Sequence, residues 1–264
     1  MRLALVASMA TGAMLSMVGT YLVIRRVVFL GLVLASAATV GAAIAQVFAW
    51  PPELASIAAT VATALGLGTI RSPRRISAES VMGWAYAAAT AATVLILAGT
   101  AGADLDTLGL LYGNLLTVSK SHATGLVALA VVIGAVQIPF GRRFLLVTFD
   151  PEAASVAGVN AALWSLSLNL LIGVVAAAAV HEIGALLTFS VLTLAPAASL
   201  LASRSIRSTF AVSATLGVLL PCLGIAVSFY LDLPPGPAGV ALLALCVPVA
   251  SVIGRWRDTA PRPD

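Results

Sequence analysis

The sequence predicts an all-α fold: a polytopic bundle of transmembrane helices with about eight or nine spans, forming one domain over residues 1–264. Three observations predict it. Of the 264 residues, 61% are hydrophobic and only 9% are charged, whereas a soluble domain carries roughly 25% charged residues. The apolar residues come in runs near the roughly 20 needed to cross a hydrocarbon core of about 30 Å, without the alternating polarity of barrel strands. Finally, twelve of the 14 basic residues fall in clusters at the ends of these runs.

Taken in order, the runs place spans near 3–24, 27–49, 54–70, 80–100, 122–140, 160–180, 183–201, 209–231 and 236–254. The first begins like a secretory signal, "MRLALVASMATGA", but continues through "MLSMVGTYLVI" to Arg25 and Arg26. That is too long for a signal core and reads as a first transmembrane helix. In the second, Gly31, Ala35 and Thr39 recur every four residues, so they share one helix face and admit a close neighbour. Either the second or the seventh span is a candidate for a broken or re-entrant segment.

Arginine sets the orientation. The clusters at 25 and 26, at 71, 74 and 75, at 142 and 143, at 204 and 207, and at 255, 257 and 262 occupy alternate connections. The positive-inside rule puts them in the cytoplasm, with the N-terminus outside and the C-terminus inside. The opposite connections hold Glu53, Asp104, Asp106 and Asp232. This distribution accounts for the net charge of +4 without nucleic acid.

Between the fifth and sixth spans, "TFDPEAASVAG" carries a helix start: Asp150 caps, Pro151 fits the first helical position and Gly158 closes the turn. It predicts a cytoplasmic surface helix near 150–158. "DLPPGP" at 232–237 is a stiff turn between the last two spans. Trp50, Trp84, Trp164 and Trp256 lie near span ends, as interfacial anchors do. Cys222 and Cys246 sit in apolar runs and behave as small hydrophobes. No G-x-x-x-x-G-K-[ST] phosphate loop is present, so any ATP hydrolysis belongs to another chain.

"HEIG", residues 181–184, lies between two apolar runs. Ionisable groups at membrane depth are costly and mark a partner or a watery path. Imidazole suits zinc and its neighbours and carboxylate suits manganese, so His181 and Glu182 are candidate metal ligands or proton carriers. Adjacent residues on a helix point about 100° apart, so one ion reaches both only at a break such as Gly184 permits. Solvation at the outward end of a span is the plainer account of the same pair. His122, which has no second His, Cys, Asp or Glu close in sequence, reads as an interfacial residue rather than a ligand.

Four segments together resemble the permease subunit of bacterial zinc and manganese ABC importers, in the same order: "VIRRVVFLG", "LLYGNLL" followed by "TVS", "FDPEAASVAGV" and "IGALLTFSVLTLAPAAS". The resemblance implies a subunit that binds no cofactor and catalyses nothing itself. It moves a divalent metal ion (zinc, manganese or iron) by alternating access. The implied partners are a cytoplasmic ATP-binding subunit, an extracytoplasmic metal-binding protein, and a second copy or related permease in the inner membrane. The inner loop near 196–210, with Pro196, Arg204 and Arg207, would dock on the ATPase.

The chain departs from that family's pattern after Gly31, where an aspartate and, four residues on, a histidine are usual. Leu32 and Ser36 stand there instead, and Asn114 replaces an aspartate of the aromatic-glycine motif. Ser36 and Asn114 remain pathway candidates behind His181 and Glu182. Three rivals stay open: a secondary, proton-coupled carrier using His181 and Glu182, a permease-like subunit with an altered substrate, and a membrane scaffold that transports nothing.

Overall fold

The structure, a computed structural model, describes residues 2–69, 77–99 and 119–259. Among them every regular element is helical. The elements are α1 (Arg2–Ile24), α2 (Val28–Phe48), α3 (Pro52–Thr69), α4 (Ala78–Ala98), α5 (Lys120–Phe149), α6 (Pro151–Val156), α7 (Ala161–Ala202), α8 (Ile206–Leu231) and α9 (Pro235–Thr259). Seven are long and apolar enough to cross a membrane, and α3 is a shorter apolar helix. The proposed position Asn114 and the acidic pair Asp104 and Asp106 lie outside the described residues.

Polar residues at the boundaries start these helices. Ser77, Ser119, Asn160 and Ser205 each accept a backbone N–H three residues on, supplying a partner to donors that the first turn leaves unmet. Asp150 accepts from Glu152 and Ala153 at 3.0 and 2.9 Å, Pro151 opens α6, and Gly158 takes φ 75° after it. The short helix expected near 150–158 is therefore present. The fifth span differs from expectation. Its helix does not stop near 140 but runs to Phe149, because Phe144, Val147 and Thr148 keep one face buried past Arg142 and Arg143.

The element α7 is 42 residues long and contains one non-helical residue, Gly184 at φ 79° and ψ 161°. Its neighbours show that the chain reverses there. Asn169 lies beside Arg25, and His181 beside Ser56 near the start of α3. Past the glycine, Leu187 packs at Gly239 near the start of α9, whereas Leu201 packs at Gly254 near its end. The two arms are thus antiparallel, matching the separate spans expected at 160–180 and 183–201. A positive φ suits glycine because a Cβ would be strained in that conformation.

α7 forms the centre. Leu168, Ile172, Val175, Leu187, Val191 and Leu192 pack with Met14, Leu15, Val18 and Tyr21 of α1 in the main core cluster. Since lipid is as apolar as these side chains, close packing holds the helices together. At the α1–α8 crossing, a Cβ on Gly12 would collide with the Gly217 carbonyl, and one on Gly217 with Ser16. Ser213 Oγ donates to the Ser16 carbonyl at 3.1 Å in the same place. The Gly31–Ala35–Thr39 face also packs as expected: Gly31 abuts Leu192, Ala35 joins Ala38, Ala177 and Val180, and Thr39 bonds Thr93. Trp50, Trp84 and Trp256 are exposed, while Trp164 packs on Phe140 and Phe144 beneath the Arg143 guanidinium.

One end of the bundle carries Arg25, Arg26, Arg142, Arg143, Arg204, Arg207 and Arg255. Glu53, His122 and Asp232 lie toward the other end. The site sits on that second side.

Candidate metal-ion site

A cavity of about 480 Å³ opens between α3, α5 and the first arm of α7, lined by Glu53, Ile57, Ser121, His122, Gly125, Leu126, Leu129, Ala177, Ala178, His181 and Glu182. The two residues of "HEIG" thus share one cavity. Both precede the break at Gly184 on helical backbone, so their side chains still diverge by about 100° and meet different walls of the cavity. Glu182 is buried, at 7% exposure, while His181 is half-buried.

His122 holds the cluster together, contrary to the reading of it as interfacial background. Its Nδ1 lies 2.9 Å from Glu182 Oε1, and its Nε2 lies 3.3 Å from Glu53 Oε1. Both acids are remote in sequence, the nearer by 60 positions, so adjacency could not reveal them. Neutral imidazole has one N–H and one lone pair. The Nδ1 contact is a hydrogen bond whose direction the ring tautomer sets, and the Nε2 contact brings Glu53 to ion-pair distance of the same ring. The ring thus lies between two carboxylates, a place where a metal cation's charge would be met.

His181 is engaged as well. Its Nδ1 is 3.2 Å from the Ala177 carbonyl and its Nε2 3.4 Å from Ser56 Oγ, whose own proton goes to the Ala38 carbonyl at 2.8 Å. Ala38 is midway along α2 (Val28–Phe48), which puts this imidazole well inside the bundle. These groups bond one another, and among the described residues no three His, Cys, Asp or Glu side chains converge as a ready-made ligand set. The chemistry available is that of a paired imidazole–carboxylate cluster. Its nitrogen and oxygen donors suit zinc, manganese and iron once His122 turns away from the carboxylates.

Ser36 lies elsewhere, in a cavity of about 120 Å³ between α2, α4 and the second arm of α7, with Leu32, Thr39, Tyr86, Thr90 and Thr93. Its hydroxyl donates to the Leu32 carbonyl at 3.0 Å, and Thr39 donates to the Ser36 carbonyl at 2.7 Å. This pocket offers hydroxyls and hydrocarbon but no charged ligand. Toward the arginine end, Pro196 is buried in the second arm of α7. Arg204 occupies the bend before α8 and Arg207 its first turn, so the two are not carried on a separate short helix.

Residues 1–254 match the family model described as the ABC 3 transport family. The chain belongs to that family. It is 27% identical over 241 residues to the manganese transport system membrane protein MntC of Halalkalibacterium halodurans, covering 91% of this chain and 82% of that one. It is 24% identical to a probable iron transport system membrane protein of Haemophilus influenzae, covering 94% and 87%. Among solved structures, PsaBC from Streptococcus pneumoniae in complex with Fab superposes with a TM-score of 0.86 at 20% identity, covering 97% of this chain and 93% of that one. This ABC 3 family member is therefore a multi-pass membrane permease, a transport component of the kind the motif order implied.

Proposed function

We propose that this chain is the membrane-spanning subunit of an ATP-driven importer for a divalent metal ion, and that Glu53, His122, His181 and Glu182 form the site its cargo meets. The observation that carries the reading is the His122 bridge between Glu53 and Glu182, in a cavity shared with His181. A buried carboxylate at Glu182 and a half-buried imidazole at His181 in an apolar bundle are costly unless used. The donor set also matches the manganese and iron transport named for relatives. Family membership favours this over a self-sufficient proton-coupled carrier.

In this reading the arginine end faces the cytoplasm, including the C-terminus, and the cavity lies toward the outside. A metal-binding protein delivers the ion there. A cytoplasmic ATP-binding subunit, docked near Pro196, Arg204 and Arg207, moves the two arms of α7, and a second permease completes the path. The ion takes the carboxylates in place of the imidazole, so His122 swings from bonding Glu182 to joining it as a ligand. Cargo identity is tested by elemental analysis of cells with and without the gene, at equal external metal. A selective fall in one divalent metal is expected, and identical metal contents would reject the assignment.

A further inference from the structure

At the opposite end of the bundle, Arg25 follows α1 and reaches between α5 and α7. Its Nε donates to Thr148 Oγ1 at 3.2 Å, and its Nη1 faces Ser165 Oγ at 3.1 Å and Asn169 Oδ1 at 3.4 Å. Its Nη2 is buried with no partner. None of the described carboxylates makes a salt bridge with it. Burial also pushes the Arg25 pKa down, because desolvation opposes the charged form.

Beside Arg25 is a cavity of about 330 Å³ whose polar lining is Arg25, Thr148, Ser165 and Asn169. The hydrogen-bond inventory there is one-sided. Thr148 and Ser165 accept from Arg25, and neither hydroxyl donates a bond among the described residues. Asn169 accepts through its carbonyl oxygen, which leaves its amide protons for another group. The site keeps unspent donors, and none of its described lining residues is acidic.

We propose that this cavity binds a phosphate group, held by the Arg25 guanidinium and the Thr148, Ser165 and Asn169 donors. Guanidinium matches phosphate oxygens through its planar fork, and basic pockets between helices on the cytoplasmic side receive anionic headgroups. The group is either the phosphodiester of an anionic lipid or free phosphate, and either would neutralise the half-buried cation where α1, α5 and α7 meet.

The test uses the full-length permease purified from vesicles of equal phosphatidylglycerol and phosphatidylcholine, with retained lipid counted by native mass spectrometry. Phosphatidylglycerol should be retained in preference by the natural chain and fall about tenfold in Arg25→Gln, as loss of one charge-assisted pair implies. The double variant Thr148→Val with Ser165→Ala keeps the charge and should show a smaller loss of several-fold. In parallel, inorganic phosphate is titrated against chloride in lipid-depleted detergent. Thermal stabilisation by phosphate, lost in the double variant, identifies a free-phosphate site, and preference for the lipid alone identifies a headgroup site. Equal retention of both lipids by the natural chain, with no phosphate stabilisation, overturns the proposal even if Arg25→Gln does not fold.

Discussion

Nδ1 of His122 lies 2.9 Å from Oε1 of Glu182, joining the start of α5 to the tip of the α7 hairpin. Glu53 holds the other ring nitrogen, so three helices meet at one imidazole. Removing the buried charge tests whether cargo uses it. Glu182→Gln keeps the shape of the side chain and should cut manganese uptake by about tenfold or more, measured in vesicles holding the permease with its ATP-binding partner. His181→Ala should also reduce uptake, with assembly intact. Uptake unchanged in both variants would remove this pair from the path.

If His122 and Glu182 act as a unit, their effects are not independent. In a cycle of His122→Ala, Glu182→Gln and the double variant, read as equilibrium affinity for manganese, the double loss should fall short of the sum by about 0.5–3 kcal/mol. Strict additivity would mean that the 2.9 Å contact has no part in binding.

Much of the fold could be read from the residues. Runs of apolar residues bounded by arginine located the spans, and the ionisable pair His181 and Glu182 separated the sixth from the seventh, beside Gly184, which takes φ 79° without strain. Half of the candidate site was legible for the same reason: His181 and Glu182 are costly where they stand. The other half was not. Glu53 and His122 lie at helix starts, where charged residues are ordinary, and only the folding back of α5 and α7 brings them to Glu182. The one available signal was that both histidines and an acid fall on the same predicted side of the bilayer.

The α1–α8 crossing gives a stability test away from the site. Gly12→Val places a branched side chain where even a Cβ meets the Gly217 backbone carbonyl, which cannot move without displacing α8. Overpacking of this kind costs about 1–3 kcal/mol or more, so the melting temperature in detergent should drop by several degrees. Gly66→Ala, where a Cβ meets nothing within 4 Å, is the matched control and should melt like the natural chain.

Charge reversal at the bend tests the docking loop. Arg204→Glu with Arg207→Glu changes the α7–α8 connection from two cations to two anions without touching the buried Pro196. Co-purification of the ATP-binding subunit should fall severalfold if that subunit reads this surface electrostatically. Normal recovery would assign docking to another segment.

The hydroxyl-lined pocket beside Ser36 permits a gain-of-function test of where the cargo binds. Leu32 and Ser36 are one helical turn apart and line the same cavity of about 120 Å³, so Leu32→Asp with Ser36→His would set a carboxylate and an imidazole on one face. The natural pocket contains no such ligand, whereas the Glu53–His122–Glu182 cluster is intact without it. Equilibrium dialysis with manganese should therefore give one ion per natural chain and a second in the double variant. Glu182→Gln added to the double variant should remove only the first ion. A natural chain that binds no manganese, while the double variant binds one, would place the cargo position at α2 and deny the acidic cluster that role.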